Sequence, residues 1–252
     1  MKLTDKNSMR IGSSSMEAPL PDLSALEDQG YTLVPIQAVQ VLYGNPHAAR
    51  ADASLLQLAN RKEFDVILSG PDASLVSGGG SRPPHGPVYR YGKSDTEGTG
   101  RGHFRGTVAV LQDGSIVMSR ADGAGAKDLR SRFGQSGNSL HAALGGGALL
   151  LEHGRFVEDL DLMRNQLFGG MPGGIRGKSM LRGPHSIMAI RKGKAYAAWC
   201  HTKSALDIRD DFRAFEFGTV IKFSHGSSVF YDDGENRLNG QNATGFGITR
   251  AY

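Results

Sequence analysis

The residues best suited to chemistry concentrate in Thr219 to Tyr231, TVIKFSHGSSVFY, where the apolar run Val220 to Phe223 breaks at Ser224-His225-Gly226-Ser227-Ser228 and resumes as Val229-Phe230-Tyr231. Apolar run, short polar break and second apolar run predict strand, tight loop, strand. Glycine lets a backbone approach a ligand closely, and hydroxyl and N–H groups held at a strand end can meet an oxyanion or a sugar. An imidazole among them titrates in the range useful for acid or base work. The same string would also serve as a plain hairpin loop.

Other candidate groups are scattered. Glycoside hydrolysis ordinarily needs a pair of carboxylates, although a phosphate leaving group relaxes the need for a strong acid. Asp72, Asp95, Glu97, Glu152, Asp232 and Asp233 lie in or beside loops, and Asp232-Asp233-Gly234 reads as a turn. The segment Gly173-Gly174-Ile175-Arg176-Gly177-Lys178-Ser179 has Pro172 where a phosphate loop needs its first glycine, which excludes an NTPase of that type. Arg176, Lys178 or Arg182 can still meet an anion from this basic loop. Eight histidines are spread along the chain without an H-E-x-x-H or another close pair, so no metal site and no cofactor is predicted. His141 is expected to be partly buried and His153 to sit in a turn. No G-x-S-x-G elbow is present, which argues against acyl transfer.

The elements that must position these groups are mostly strands. Tyr31 to Tyr43 reads as one or two strands with Pro35 at a break or an edge, Ser54 to Ala59 as a short helix, and Phe64 to Leu68 as a buried strand ending at Ser69-Gly70-Pro71-Asp72. Three segments share a hairpin plan with a two-residue turn containing glycine: Thr107 to Ser119 around Asp113-Gly114, Ala148 to Asp159 around His153-Gly154, and Ser186 to Cys200 around Lys192-Gly193. Ala205, Ile208, Phe212 and Phe215 mark one face of a helix over Ser204 to Phe217, with Ser204 and Asp207 as a capping box and Gly218 as its stop. Gly245 to Tyr252 closes the chain as a last strand. Three glycine-rich basic connections, Ser77 to Arg105, Arg120 to Gly137 and Gly169 to Pro184, are long enough to be functional.

A chain of 252 residues can bury a proper core. Its 35 glycines have no collagen period and alternate with apolar runs, which implies many turns in a folded protein. The formal charge of +4 and a pI of about 9.2 permit an anionic ligand, but the Lys and Arg residues form no block and no nucleic-acid motif accompanies them. Cys200 is the only cysteine, which excludes an intrachain disulfide. No apolar run approaches membrane-spanning length and Met1 to Ser15 lacks a signal-peptide core, so a cytoplasmic protein of a bacterium or phage is expected, with no membrane partner.

Taken in order, these pieces resemble the phosphodiester glycosidase domain family, from about Leu33 to the C-terminus. In that family a helix and strand lead to an Asn-Gly-Gly-Phe-Phe motif, matched here by Phe64 to Asp72. A glycine, a strand and a D-G hairpin follow, matched by Gly86-Pro87-Val88-Tyr89 and Thr107 to Ser119. The family's glycine-rich stretch before a leucine-rich hairpin looks like Leu144 to Val157, and its Arg-Thr-Ala-Ile-Gly strand like His185 to Ile190. Its Asp-Gly-Gly-Gly-Ser-Ser loop corresponds to Ser224 to Ser228. Ser69 stands where the family has Asn, His185 where it has Arg, and Ser224 where it has Asp; Gly70, Gly226, Ser227 and Ser228 are retained.

The resemblance implies an α+β fold of strand-rich mixed sheets with a few flanking helices, as a single domain over 31–252 preceded by an arm over 1–30. It implies a hydrolase that cleaves a sugar from a phosphodiester-linked, sugar-phosphate or nucleotide-derived substrate. His225, His185 and Asp72 are the candidates for catalysis. Ser69, Gly70, Arg176, Arg182, Gly226, Ser227 and Ser228 are the candidates for binding. A binding protein that sequesters a phosphorylated sugar or nucleotide in the same pocket is the alternative.

Overall fold

The computed structural model describes residues 21–44, 55–71, 86–96, 105–121, 126–158, 182–225, 230–232, 235–236 and 244–252. Among them, four helices flank a large sheet, an α+β architecture in which every strand pairing is antiparallel. The helices are α1 (Ser24–Asp28), α2 (Leu55–Arg61), α3 (Ala126–Phe133) and α4 (Ala205–Ala214). The strands that matter for the site are β1 (Tyr31–Tyr43), β2 (Val66–Ser69), β3 (Val88–Arg90), β4 (Lys93–Thr96), β5 (Arg105–Leu111), β6 (Ile116–Ala121), β7 (Leu140–Glu152), β8 (Arg155–Phe156), β9 (Gly183–Arg191), β10 (Lys194–Lys203), β11 (Thr219–His225), β12 (Phe230–Asp232), β13 (Glu235–Asn236) and β14 (Thr244–Arg250).

The 13-residue β1 joins two halves of the sheet. Tyr31 to Pro35 pair with β10, whereas Ile36 to Tyr43 pair with β14, and the register shifts between Ile36 and Ala38. Pro35, which lacks an N–H for the ladder, sits just before that shift and is exposed. Such an irregularity bends a strand, and one continuous strand can thereby serve both halves. On one side of β1 the order runs through β10, β9, β11 and β7 to β3 and β4; on the other it runs through β14 and β2 to β12 and β13. The two halves fold onto each other: Phe223 of β11 meets Phe246 of β14 with ring centroids 5.0 Å apart. Valine, leucine, isoleucine and phenylalanine from both halves build the main core, and Leu26 of α1 is fully buried in it.

Turn chemistry follows the hairpin plan with one difference. His153-Gly154 and Lys192-Gly193 both have positive φ at each position, as a type I′ two-residue turn requires, and Tyr91-Gly92 makes a third such turn between β3 and β4. Asp113-Gly114 instead belongs to a three-residue loop: the Leu111 N–H donates to the Ser115 carbonyl at 2.9 Å, and only Gly114 is left-handed. The Asp113 carboxylate accepts the Ser115 N–H at 2.8 Å and favours this local closure.

Five further expectations are corrected. The connection after Ser77 contains the β3–β4 hairpin, and the connection after Arg120 contains α3, whose Leu129 and Phe133 pack on Ala109 and Leu111 in a second core cluster. His141 is exposed. The chain leaves α4 through Glu216 at φ 59, so the left-handed stop is a glutamate and Gly218 instead donates its N–H to Ile190. Finally, β11 and β12 are not a hairpin, because β11 pairs with β7 and β9 whereas β12 pairs with β2 and β13. Ser224 and His225, read as part of the break, belong to β11, and β11 and β12 lie in different halves of the sheet.

Helix α4 starts with the capping box read from the sequence: the Asp207 N–H donates to the Ser204 hydroxyl at 3.1 Å, and the Ser204 N–H to the Asp207 carboxylate at 2.9 Å. Burial alone would raise the Asp207 pKa, but those Ser204 hydrogen bonds and the nearby Arg182 and Lys203 charges lower it overall. A carboxylate with a depressed folded pKa contributes stability above its unfolded pKa and loses it as pH falls through the folded value. Ser204→Ala is expected to lower the unfolding free energy by about 1 kcal/mol at pH 7. That difference should shrink below the ordinary carboxylate range, as urea melts at pH 7 and pH 2.5 would report.

Candidate functional site

The end of β2 is held from two sides. Ser69 is fully buried and pairs with Gly245 of β14. The Gly70 N–H donates to the Thr244 carbonyl at 2.8 Å, and the Thr244 hydroxyl donates to the Pro71 carbonyl at 3.0 Å. From the opposite half of the sheet, the buried Ser186 hydroxyl of β9 donates to the Ser69 carbonyl at 2.7 Å. This contact spans 117 positions of sequence and ties the two halves together at the strand ends.

A third backbone closes the cluster. Gly145 to Gly147 lie in the middle of β7, and the Gly145 N–H donates to the Pro87 carbonyl at 3.0 Å. A Cβ on Gly86 would fall 2.0 Å from the Gly145 carbonyl carbon, far inside contact distance. A Cβ on Gly146 would fall 3.1 Å from the Pro71 side chain, and one on Gly70 would fall 2.7 Å from Leu144. Strand ends and backbones from β2, β7, β9 and β14 thus meet where side chains have been removed. The N–H and hydroxyl donors of this cluster are engaged with one another and its members are buried, so what these contacts fix is the relative position of the backbones that meet here.

The residues singled out in the sequence divide three ways. Ser69 and Gly70 are in this cluster. His185 is buried beside it but on the other face of the sheet: Tyr31, Cys200 and His185 are successive register partners across β1, β10 and β9, and the Tyr31 ring packs edge-on against Phe212 of α4 at 5.3 Å. Successive side chains of a strand alternate, so Ser186 reaches Ser69 while His185 turns toward the α4 side. The backbone of His225 pairs with that of His185, at the end of β11. Arg182 is largely exposed and forms an ion pair with Asp207 at 3.4 Å. Asp72, Arg176, Gly226, Ser227 and Ser228 lie outside the described residues.

Sequence reasoning missed Ser186 and Thr244, the two hydroxyls that fix the strand ends. The signal for Ser186 was its place as the inward neighbour of His185. It also missed Lys222, a buried cation whose ammonium donates to the Phe223 carbonyl at 3.3 Å and whose register partner is Ile187, on the face shared with His185. A lysine inside the apolar run Val220 to Phe223 was the available sign. On the same face, burial pushes the Cys200 thiol up to about 12, against the smaller opposing effects of backbone N–H bonds from Lys203 and His185 and of the Lys203 and Lys222 charges. A thiol so shifted is not a nucleophile at neutral pH.

Two cavities lie elsewhere. One of about 700 Å³ sits at the β7–β8 hairpin, lined by Arg120, Glu152, His153, Arg155 and Phe156. Glu152 is seven strand positions beyond Gly145, about 23 Å along β7, and its carboxylate is taken up by Arg120 at 2.9 Å and Ser119 at 3.1 Å. The other lies at the opposite end of β7, near His141. Among the described residues no group of three or more His, Cys, Asp or Glu side chains is placed to hold a metal ion, and no helix is long and apolar enough to cross a membrane.

No family model and no curated protein matches this chain. Solved structures do. The catalytic domain of zebrafish N-acetylglucosamine-1-phosphodiester alpha-N-acetylglucosaminidase, auto-inhibited by its pro-peptide, superposes with a TM-score of 0.63 at 15% identity, covering 85% of this chain and 74% of that one. A hypothetical protein from Synechocystis gives a TM-score of 0.50 at 12% identity over 88% of this chain and 57% of its own. A putative exported protein from Burkholderia pseudomallei gives 0.51 at 9% identity over 87% and 71%. At these identities the likeness is one of fold.

Replacing Gly86 tests the close approach directly. Gly86→Ala should cost at least about 2 kcal/mol, because the new methyl meets backbone that cannot rotate away. Gly218→Ala, whose Cβ would lie an ordinary 3.7 Å from the Ile190 carbonyl, serves as the tolerated control. Chemical denaturation of both variants measures the difference.

Proposed function

We propose that this chain is a hydrolase of the phosphodiester glycosidase type, which cleaves a sugar from a phosphodiester-linked substrate of sugar-phosphate or nucleotide-derived chemistry. The observation that carries this reading is the meeting of Gly145, Gly146 and Ser186 with Ser69 and Gly70 at the end of β2, on a fold similar to that of a phosphodiester glycosidase. In the reaction, the bond between the anomeric carbon and the bridging oxygen breaks. Water supplies the new hydroxyl on that carbon, its proton passes to a base, and the phosphomonoester departs with the bridging oxygen. Phosphate needs little protonation to leave, so the strongest demand is for a base and for groups that hold the sugar and the phosphate.

In this reading His225, at the end of β11, is the base, and Gly226, Ser227 and Ser228 after it hold the phosphate, with Arg176 supplying charge. His185 and Lys222, under α4, position the β9 and β11 ends from behind. Asp72, directly after Pro71 in the sequence, is the remaining candidate for catalysis in this reading.

A second reading follows from one feature. The described cluster of Ser69, Gly70, Gly86, Gly145, Gly146, Ser186 and Thr244 contains no carboxylate, as suits a protein that holds a phosphorylated sugar or nucleotide without cleaving it. Incubation with a panel of sugar phosphodiesters and nucleotide-sugars, followed by denaturation and recovery of the small molecule, separates the two. Cleaved product over many turnovers supports the hydrolase; bound but intact compound supports sequestration. His225→Ala should reduce turnover, or ligand retention, at least tenfold relative to His153→Ala, with equal melting temperatures. Equal function in the two variants would remove His225 from the site.

A further inference from the structure

The second cavity, about 250 Å³, lies between β1 and the start of β7, lined by Val39, Gln40, Val41, Arg90, Tyr91 and His141. From its arrangement we infer a second binding site, for a neutral pyranose ring. It is separate from the glycine-lined cluster, since His141 precedes Gly145 by four strand positions, about 13 Å.

Arg90, which lines this cavity, is one half of a buried ion pair. The Arg90 guanidinium donates to the Asp95 carboxylate at 2.5 Å, with side-chain exposures of only 2% and 5%. It also lies 5.6 Å from the centres of both the Tyr43 and the Tyr91 rings. Asp95 sits against the guanidinium, so this cation is already engaged by a carboxylate and offers little to an anionic ligand. What the pair does is hold an aromatic ring still, because a desolvated guanidinium against a ring fixes it electrostatically.

That ring is unusual in its placement. Tyr91 occupies the first position of the β3–β4 turn at φ 53, where Asn, Asp or Gly is favoured, and it is 56% exposed. A bulky side chain at such a φ is uncommon. Its ring meets His141 edge to face at 6.2 Å, so it is braced on one side by an imidazole and from below by Arg90. An exposed tyrosine held between two partners presents a rigid apolar face at low entropy cost, the form of platform on which the C–H face of a sugar stacks. Gln40 and His141, both exposed at the rim, provide the planar hydrogen-bonding groups that sugar hydroxyls require.

The test measures binding alone and is therefore independent of whether the chain hydrolyses anything. Saturation-transfer NMR and calorimetric titration with maltotriose, cellotriose and tri-N-acetylchitotriose, with glucuronic acid and inorganic phosphate as anionic probes, should show at least one neutral trisaccharide bound. Tyr91→Ala should weaken that binding at least tenfold with an unchanged melting temperature, and Tyr91→Phe, which keeps the platform, should retain it. Absence of trisaccharide binding, binding indifferent to Tyr91→Ala, or preference for glucuronic acid or phosphate would each overturn the inference.

Discussion

The architecture depends on a place where backbone meets backbone with nothing between. Gly86 lies so close to the Gly145 carbonyl that no side chain fits, and the same stretch of β7 is approached by Pro71 and, through Gly147, by Ile221 and Phe223 of β11. Packing of this kind commits β2, β7 and β11 to one relative arrangement. A methyl group on Gly86 would push the chain leading into β3 against β7, where the β5–β7 register already shifts around Gly146 at φ 99. The glycines that make the approach possible also leave polar backbone groups at the strand ends.

The Ser186 to Ser69 hydrogen bond gives that arrangement its second dimension. It is made from the inner face of β9, and its immediate neighbour His185 turns to the opposite face, where Cys200, Lys222 and the Tyr31–Phe212 contact lie under α4. One strand end thus has a polar group on each side. The inner one contacts the β2 end directly. The outer ones act on it only through the position of the strand, and α4, anchored by its Ser204–Asp207 cap and by Asp211 receiving both Tyr31 at 2.7 Å and Lys203 at 2.8 Å, keeps them there.

Much of this was legible in the residues. The glycine turns at His153-Gly154 and Lys192-Gly193, the cap at Ser204, and the strands at Tyr31 to Tyr43 and Val220 to Phe223 follow from period, propensity and turn chemistry, which are local. What stayed hidden was non-local. That the runs on either side of Ser224 to Ser228 belong to different halves of the sheet is decided by pairing with β9 and β2, and no residue in the stretch announces it. Of the neighbours His185 and Ser186 the histidine has the richer chemistry, whereas the pleat decides which of the two faces the cluster. Helix α3 and the β3–β4 hairpin were hidden for a different reason, since their glycine-rich and basic surroundings mimic a long loop. The likeness to the zebrafish catalytic domain is one of fold, at 15% identity, and does not reach the individual motifs.

The central claim, that the ligand sits where these strand ends meet, is tested most directly by amide hydrogen exchange with and without a sugar phosphodiester. The account predicts ligand-dependent protection of the Gly70, Gly145, Gly146 and Ser186 amides, with the His153 to Phe156 hairpin unchanged. Protection centred on that hairpin and its cavity, with the strand-end glycines unaffected, would contradict it.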